Sequence, residues 1–180
     1  MAGSLAAGDS DMKTLYLVRH AKSSWTDSSL ADLERPLNKR GRRDAPVMGQ
    51  RLAGGKVKID AIWSSPALRA LQTAELLAQP LKISGKLIEQ HERLYTSSIE
   101  DLFLEVSTCS DKINALLVIG HNPVISEFAD LLIDHNYAAE ISQIPTCGIV
   151  ALKFKCSSWT QIKNNPGQLL FFDYPKKSSL

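Results

Sequence analysis

Along the chain, short and nearly unbroken apolar runs alternate with stretches whose apolar positions recur at helical spacing. Thr14-Leu15-Tyr16-Leu17-Val18, Ala61-Ile62-Trp63-Ser64 and Ala115–Ile119 have the pattern of strands covered on both faces. Asn38 can cap a helix from Lys39 to about Ala53 that Gly54-Gly55 stops, and Pro46 predicts a kink or a division into two pieces. Ser65 as cap and Pro66 as first helical residue open a helix carrying Leu68, Leu71, Ala74 and Leu77. Ser97 with Glu100 reads as a capping box ahead of a helix from Ile99 to about Val106, and Asn122 with Pro123 opens a helix to about Ile133. Toward the C-terminus, Gly148–Phe154, Trp159–Ile162 and Leu169–Phe172 read as strands, some of them antiparallel. Such alternation predicts an α/β fold with a largely parallel sheet.

Composition narrows this without redirecting it. A length of 180 residues fits one domain over 12–175, with flexible tails at 1–11 and 176–180. Hydrophobic residues at 44% and charged residues at 22% exclude collagen-like, coiled-coil and disordered classes. Lys and Arg number 21 against 19 Asp and Glu, a net charge of +2 that is too balanced to announce a nucleic-acid partner. The cluster Lys39-Arg40-Gly41-Arg42-Arg43, with Asp44 beside it, reads as a solvated helix face able to steer an acidic partner. No apolar run reaches the roughly 18 residues of a membrane span. Residues 1–11 lack the apolar core of a signal peptide and the Arg-rich face of a transit peptide. The three cysteines are odd in number and show no CxxC spacing, which predicts reduced thiols and a cytoplasmic location. Ser178-Ser179-Leu180 offers an alternative, as a degenerate peroxisomal address.

Polar residues concentrate at strand exits. Arg19-His20 follow the first strand, Ser64-Ser65-Pro66 with Arg69 follow the second, and Gly120-His121-Asn122-Pro123 follow the third. Ligands of open α/β sheets sit beyond the carboxyl ends of the strands. If these strands are neighbours, two arginines, two imidazoles and helix N-termini converge on a site suited to a compact dianion such as a phosphoryl group. Planar guanidinium forks match its oxygens, and a neutral histidine in line with the leaving group can take the phosphoryl as a covalent intermediate. His20, beside Arg19, is the expected nucleophile and His121 the expected cationic partner. This chemistry calls for no cofactor, and the four histidines lack metal-ligand spacing.

Leu17-Val18-Arg19-His20-Ala21-Lys22-Ser23-Ser24-Trp25 resembles the first motif of the histidine phosphatase superfamily. Ser64-Ser65-Pro66-Ala67-Leu68-Arg69 resembles its second and Gly120-His121-Asn122-Pro123 its third. The compact length, RHAKSSW and Glu34-Arg35-Pro36-Leu37 are most similar to the small SixA-type phosphohistidine phosphatases. The resemblance implies a doubly wound, mostly parallel sheet flanked by helices, a phosphohistidine intermediate at His20, and a phosphate pocket of Arg19, Arg69 and His121. It also implies a phosphorylated protein or small phosphorylated substrate as partner, with neither nucleic acid nor membrane. Ala21 stands where the common pattern has glycine, so the position is expected to need no positive φ.

The remaining positions keep two readings each. Glu92, in Gln90-His91-Glu92-Arg93-Leu94, is a candidate general acid or a surface charge. Lys22 and Ser23 line the pocket mouth or are solvated; Asn122 binds substrate or only caps its helix; Trp25 shapes the entrance or packs. His91, His135 and the cysteines read as structural. The leading function is hydrolysis of phosphohistidine on a protein. The alternatives are a broad phosphomonoesterase of the same superfamily and a phosphoprotein-binding module without turnover.

Overall fold

A computed structural model describes residues 12–95, 98–136 and 141–177. The two expected tails, apart from Lys176 and Lys177, lie outside these residues, as does Ser97. The strands are β1 (Lys13–Arg19), β2 (Ala61–Ser64), β3 (Ile88–Gln90), β4 (Ala115–Gly120), β5 (Ile149–Phe154) and β6 (Gln168–Asp173). They form one sheet in the order β3-β2-β4-β1-β5-β6, with the first four parallel and β5 and β6 antiparallel. The helices are α1 (Lys39–Gly54), α2 (Leu68–Leu81), α3 (Ile99–Ser107) and α4 (Val124–Leu132).

Alternate residues of each buried strand feed two cores, because successive side chains point to opposite faces. Leu15, Leu17, Leu116 and Val118 pack with residues of α3 and α4. Tyr16, Val18, Leu117 and Ile119 pack with residues of α1 and α2. Helices therefore cover both faces, which is the doubly wound arrangement. No helix among the described residues is long and apolar enough to cross a membrane.

Local chemistry moves several boundaries. Asn38 caps α1 as expected, its Oδ1 accepting from the Gly41 N–H at 2.9 Å, but Pro46 leaves α1 one continuous helix. The capping box before α3 is set one residue later than expected: Ser98 accepts from the Asp101 N–H, and Asp101 accepts from the Ser98 N–H. Trp159–Ile162 is not a strand. Ser158 caps a 3-10 helix over Trp159–Asn164, and the buried Trp159 donates its Nε1–H to Ile113 O at 2.8 Å. The helices after β2 and β4 begin at Leu68 and Val124, so neither Pro66 nor Pro123 is the first helical residue. Ala67, not Ser65, holds the cap position of α2; the Ser65 hydroxyl accepts from the Ala67 N–H at 3.3 Å and also lies 2.7 Å from His121 Nε2. Asn122 is not the cap of α4, because its amide is bonded elsewhere. His91 packs as expected of a structural residue, stacked on Trp63 at 4.0 Å and bonded to Glu105.

One glycine fixes how α1 meets the site. A Cβ on Gly41 would lie 2.3 Å from Lys22 O, on a loop that also receives the Asn38 N–H at 3.0 Å. That obstacle is backbone and cannot rotate away. Gly41→Ala is expected to destabilise the fold by about 1–3 kcal/mol through overpacking, lowering the unfolding midpoint, and to displace Lys22. Denaturant melts beside wild type measure this, and an unchanged midpoint would show that the close approach is not enforced.

Candidate active site

β2, β4 and β1 are neighbours, with Arg19 opposite Gly120 and Ser64 opposite Ile119 in register. The ladder runs one residue further at two exits: the His20 N–H donates to Gly120 O at 3.1 Å, and the Ser65 N–H to Ile119 O at 3.0 Å. His20 and His121 thereby come together with ring centroids 5.0 Å apart and planes tilted by 56°. Both line a cavity of about 540 Å³ together with Arg19, Arg69, Lys22, Ser23 and Asn122.

The His20 ring is oriented by its own neighbour. Nδ1 lies 2.7 Å from Ala21 O, and since a carbonyl only accepts, Nδ1 carries the proton and Nε2 keeps its lone pair. Ala21 is fully buried and is not among the residues of positive φ, as expected. Its N–H donates to Thr73 Oγ1 at 3.0 Å, and that hydroxyl donates to Arg69 O at 2.6 Å, which joins the β1 exit to the first turn of α2. His121 Nε2 lies 2.7 Å from Ser65 Oγ.

Arg19 donates from Nη1 to Ile144 O at 3.1 Å, while its buried Nε–H has no partner. The Ile144 segment is clamped by a closed set of bonds: Asn122 Nδ2 donates to Ile144 O, Ser126 Oγ donates to Asn122 Oδ1, and the Ile144 N–H donates to Ser126 Oγ. Asn122 thus lines the cavity while its amide holds the support of Arg19. Arg69 is buried and does not pair with Glu75. It donates to Asp32 twice, to the backbone O at 2.6 Å and to Oδ2 at 2.8 Å.

Four lining residues were not assigned a place by the strand-exit pattern: Asp32, Arg35, Tyr95 and Thr146. Arg35 is buried and donates to Asp32 Oδ1 at 2.7 Å, Ser23 Oγ at 2.7 Å and Ser24 O at 3.3 Å. The Tyr95 hydroxyl donates to Asp32 Oδ2 at 2.8 Å, and its ring meets His121 edge-on at 5.6 Å. Glu92 is not brought to the site. It opens a short 3-10 helix, is exposed, and is absent from the cavity lining. Asp32 is the carboxylate at the cavity, and burial opposes its charge. The Tyr95 hydroxyl and the Arg69 and Arg35 cations outweigh that burial and hold Asp32 below the usual carboxylate range. Among the described residues no group of three or more His, Cys, Asp or Glu is placed to hold a metal ion.

Both imidazoles are held neutral. Burial pushes His20 down to about 4; the Ala21 carbonyl opposes this and the Arg69, Arg19 and Arg35 charges add to it. Burial, then His20 and Arg69, push His121 down to about 3. The cationic role expected of His121 therefore requires it to take up a proton, because burial favours its neutral form in the free protein. Between pH 6.5 and these values the unfolded chain binds protons that the folded chain refuses, so stability falls as pH drops through that window. NMR titration of the two rings is expected to give midpoints near 4 and 3. Midpoints near 6.5 would contradict the burial argument.

The sequence model of the histidine phosphatase superfamily (branch 1) matches residues 15–102. An uncharacterized protein of Mycobacterium tuberculosis is 33% identical over 165 residues, covering 88% of this chain and all of its own. A solved structure from Nakamurella multipartitia, described as a candidate phosphohistidine phosphatase SixA, superposes with a TM-score of 0.80 at 25% identity, over 92% of this chain and 98% of that one. The phosphohistidine phosphatase SixA of Escherichia coli is 27% identical over 113 residues, 62% of this chain and 68% of its own. This chain belongs to the histidine phosphatase superfamily. It is a phosphatase, and within the superfamily its likeness is to the SixA type.

Proposed function

We propose that the enzyme removes phosphate from phosphohistidine on a protein through a covalent phosphohistidine at His20. The observation that carries this reading is the His20 ring itself, tethered through Nδ1–H so that the unprotonated Nε2 is the nitrogen left to react. In the first step Nε2 bonds to phosphorus as the P–N bond of the substrate breaks. The electron pair returns to the substrate imidazole, which takes a proton from solvent. In the second step water attacks phosphorus, the P–Nε2 bond breaks, and inorganic phosphate leaves with His20 restored. Arg19 and Arg69 donate to the equatorial oxygens, where preorganised donors stabilise the developing charge. The Arg19 Nε–H without a partner is a donor of the kind such an oxygen satisfies. A phosphoryl dianion between the rings adds to the negative charge of Asp32, which alone does not offset burial and the nearby cations, so His121 takes up its proton with the substrate.

The substrate class follows from the acids at the cavity. Asp32 is held ionised by Arg69, Arg35 and Tyr95, and Glu92 is elsewhere. An alcohol leaving from a phosphomonoester needs a proton donor, typically worth about 10²–10⁴-fold. An imidazole leaving group can be protonated by solvent on its second ring nitrogen. Purified enzyme is therefore expected to hydrolyse a phosphohistidine-bearing protein at least about 100-fold faster, in kcat/KM, than a phosphoserine peptide. Glu92→Gln is expected to change neither rate. Equal turnover of both substrates, or a selective loss on phosphoserine in Glu92→Gln, would favour a broad phosphomonoesterase.

A further inference from the structure

The cavity is larger than a phosphoryl group requires, and its lining is polar except at one flat surface. Trp25 is 72% exposed, yet its indole is not loose. One face lies on the Arg35 guanidinium, whose central carbon is 3.3 Å from the ring centroid. Arg35 is itself held by Ser23, Ser24 and Asp32, so this cation–π contact locks the ring in place. The result is a rigid aromatic surface that lines the same cavity as His20 and His121 and leaves its outer face uncovered. Tyr95, the other non-imidazole ring there, is turned edge-on to His121 with its hydroxyl fixed on Asp32.

We propose that the outer face of Trp25 is a subsite for the leaving group and selects a planar aromatic ring over an alkyl ammonium. Flat rings gain from offset stacking beyond simple burial. The guanidinium behind the indole draws π density to the covered face and weakens the attraction of the outer face for a second cation. A flat imidazole, which gains from stacking, is therefore favoured there over the alkyl ammonium released from phospholysine, which offers charge alone. The inference names what the proposed phosphohistidine reaction recognises besides phosphate, and it rests on that reading for its natural substrate.

Trp25→Ala and Trp25→Phe, compared with wild type on phosphohistidine and phospholysine peptides of one sequence, test it. Both peptides carry P–N bonds and differ in the ring. Trp25→Ala is expected to lose about tenfold in kcat/KM on phosphohistidine and no more than about twofold on phospholysine, and Trp25→Phe to recover most of the loss. Hydrolysis of the phosphoenzyme, followed by rapid quench, should be unaffected because the leaving group has departed. Equal losses on the two peptides would mean that Trp25 only holds Arg35, and no loss would mean that the face is unused; either overturns the subsite. Should wild type fail to hydrolyse phosphohistidine at all, the functional reading fails separately. A phenyl and an alkyl phosphate then pose the same question, with the same selective loss expected.

Discussion

His20→Ala is expected to lose at least about 10⁴-fold in kcat on every phosphorylated substrate while remaining folded. The scale is that seen when a covalent nucleophile is removed and only binding groups remain. No neighbouring group can substitute. Among the described residues His121 is the one other imidazole lining the cavity, and its Nε2 faces Ser65. The fold should tolerate the change, because burial opposes protonation of this ring and the Ala21 N–H keeps its bond to Thr73. Steady-state kinetics with matched denaturant melts measure both halves. A variant that retained more than about one per cent of the wild-type rate would place the nucleophile elsewhere.

Arg69→Ala is expected to lower kcat/KM by about 10²–10³-fold, the range for one preorganised donor at a developing oxyanion. Its stability should change by only about 1 kcal/mol. The asymmetry follows from the partner. The Asp32 side chain is 46% exposed and keeps Arg35 and Tyr95 when Arg69 is gone, so no buried charge is stranded. A structural arginine would give the opposite outcome, a large drop in melting midpoint with kcat/KM following the folded fraction.

Much of this site is legible in sequence because parallel strands deliver their next residues to one edge of the sheet. Arg19-His20, Ser65 and His121 need only the neighbouring of β1, β4 and β2 to meet, a condition the sequence left open and the strand order meets. The antiparallel turn of the chain at β5 and β6 is also readable. The loop from Ser23 to Leu37 is different. Asp32 and Arg35 follow no strand and carry no period; they matter through bonds to Arg69 and Tyr95, which are 37 and 63 residues from Asp32 in the chain. Arg35 stood in the Glu34-Arg35-Pro36-Leu37 motif of the resemblance without an assigned role, and its ion pair with Asp32 at i,i+3 spacing is seen only in the fold. Glu92 shows the converse error, since a carboxylate at a plausible distance along the chain is turned to solvent by its 3-10 helix. That His121 is neutral in the free protein was not legible, because composition cannot report burial, and burial is its largest influence. At Asn122 the boundary shifted because its amide bonds Ile144 O and the Ser126 hydroxyl instead of the helix N-terminus.

The central claim is that phosphorus becomes bonded to Nε2 of His20, and trapping that species tests it most directly. Enzyme mixed with phosphohistidine protein labelled in the phosphoryl group and quenched within milliseconds should carry label that is lost in acid and kept in alkali, mapping to the peptide that contains His20 and absent from His20→Ala. Label that survives acid, or that persists in His20→Ala, would contradict the account.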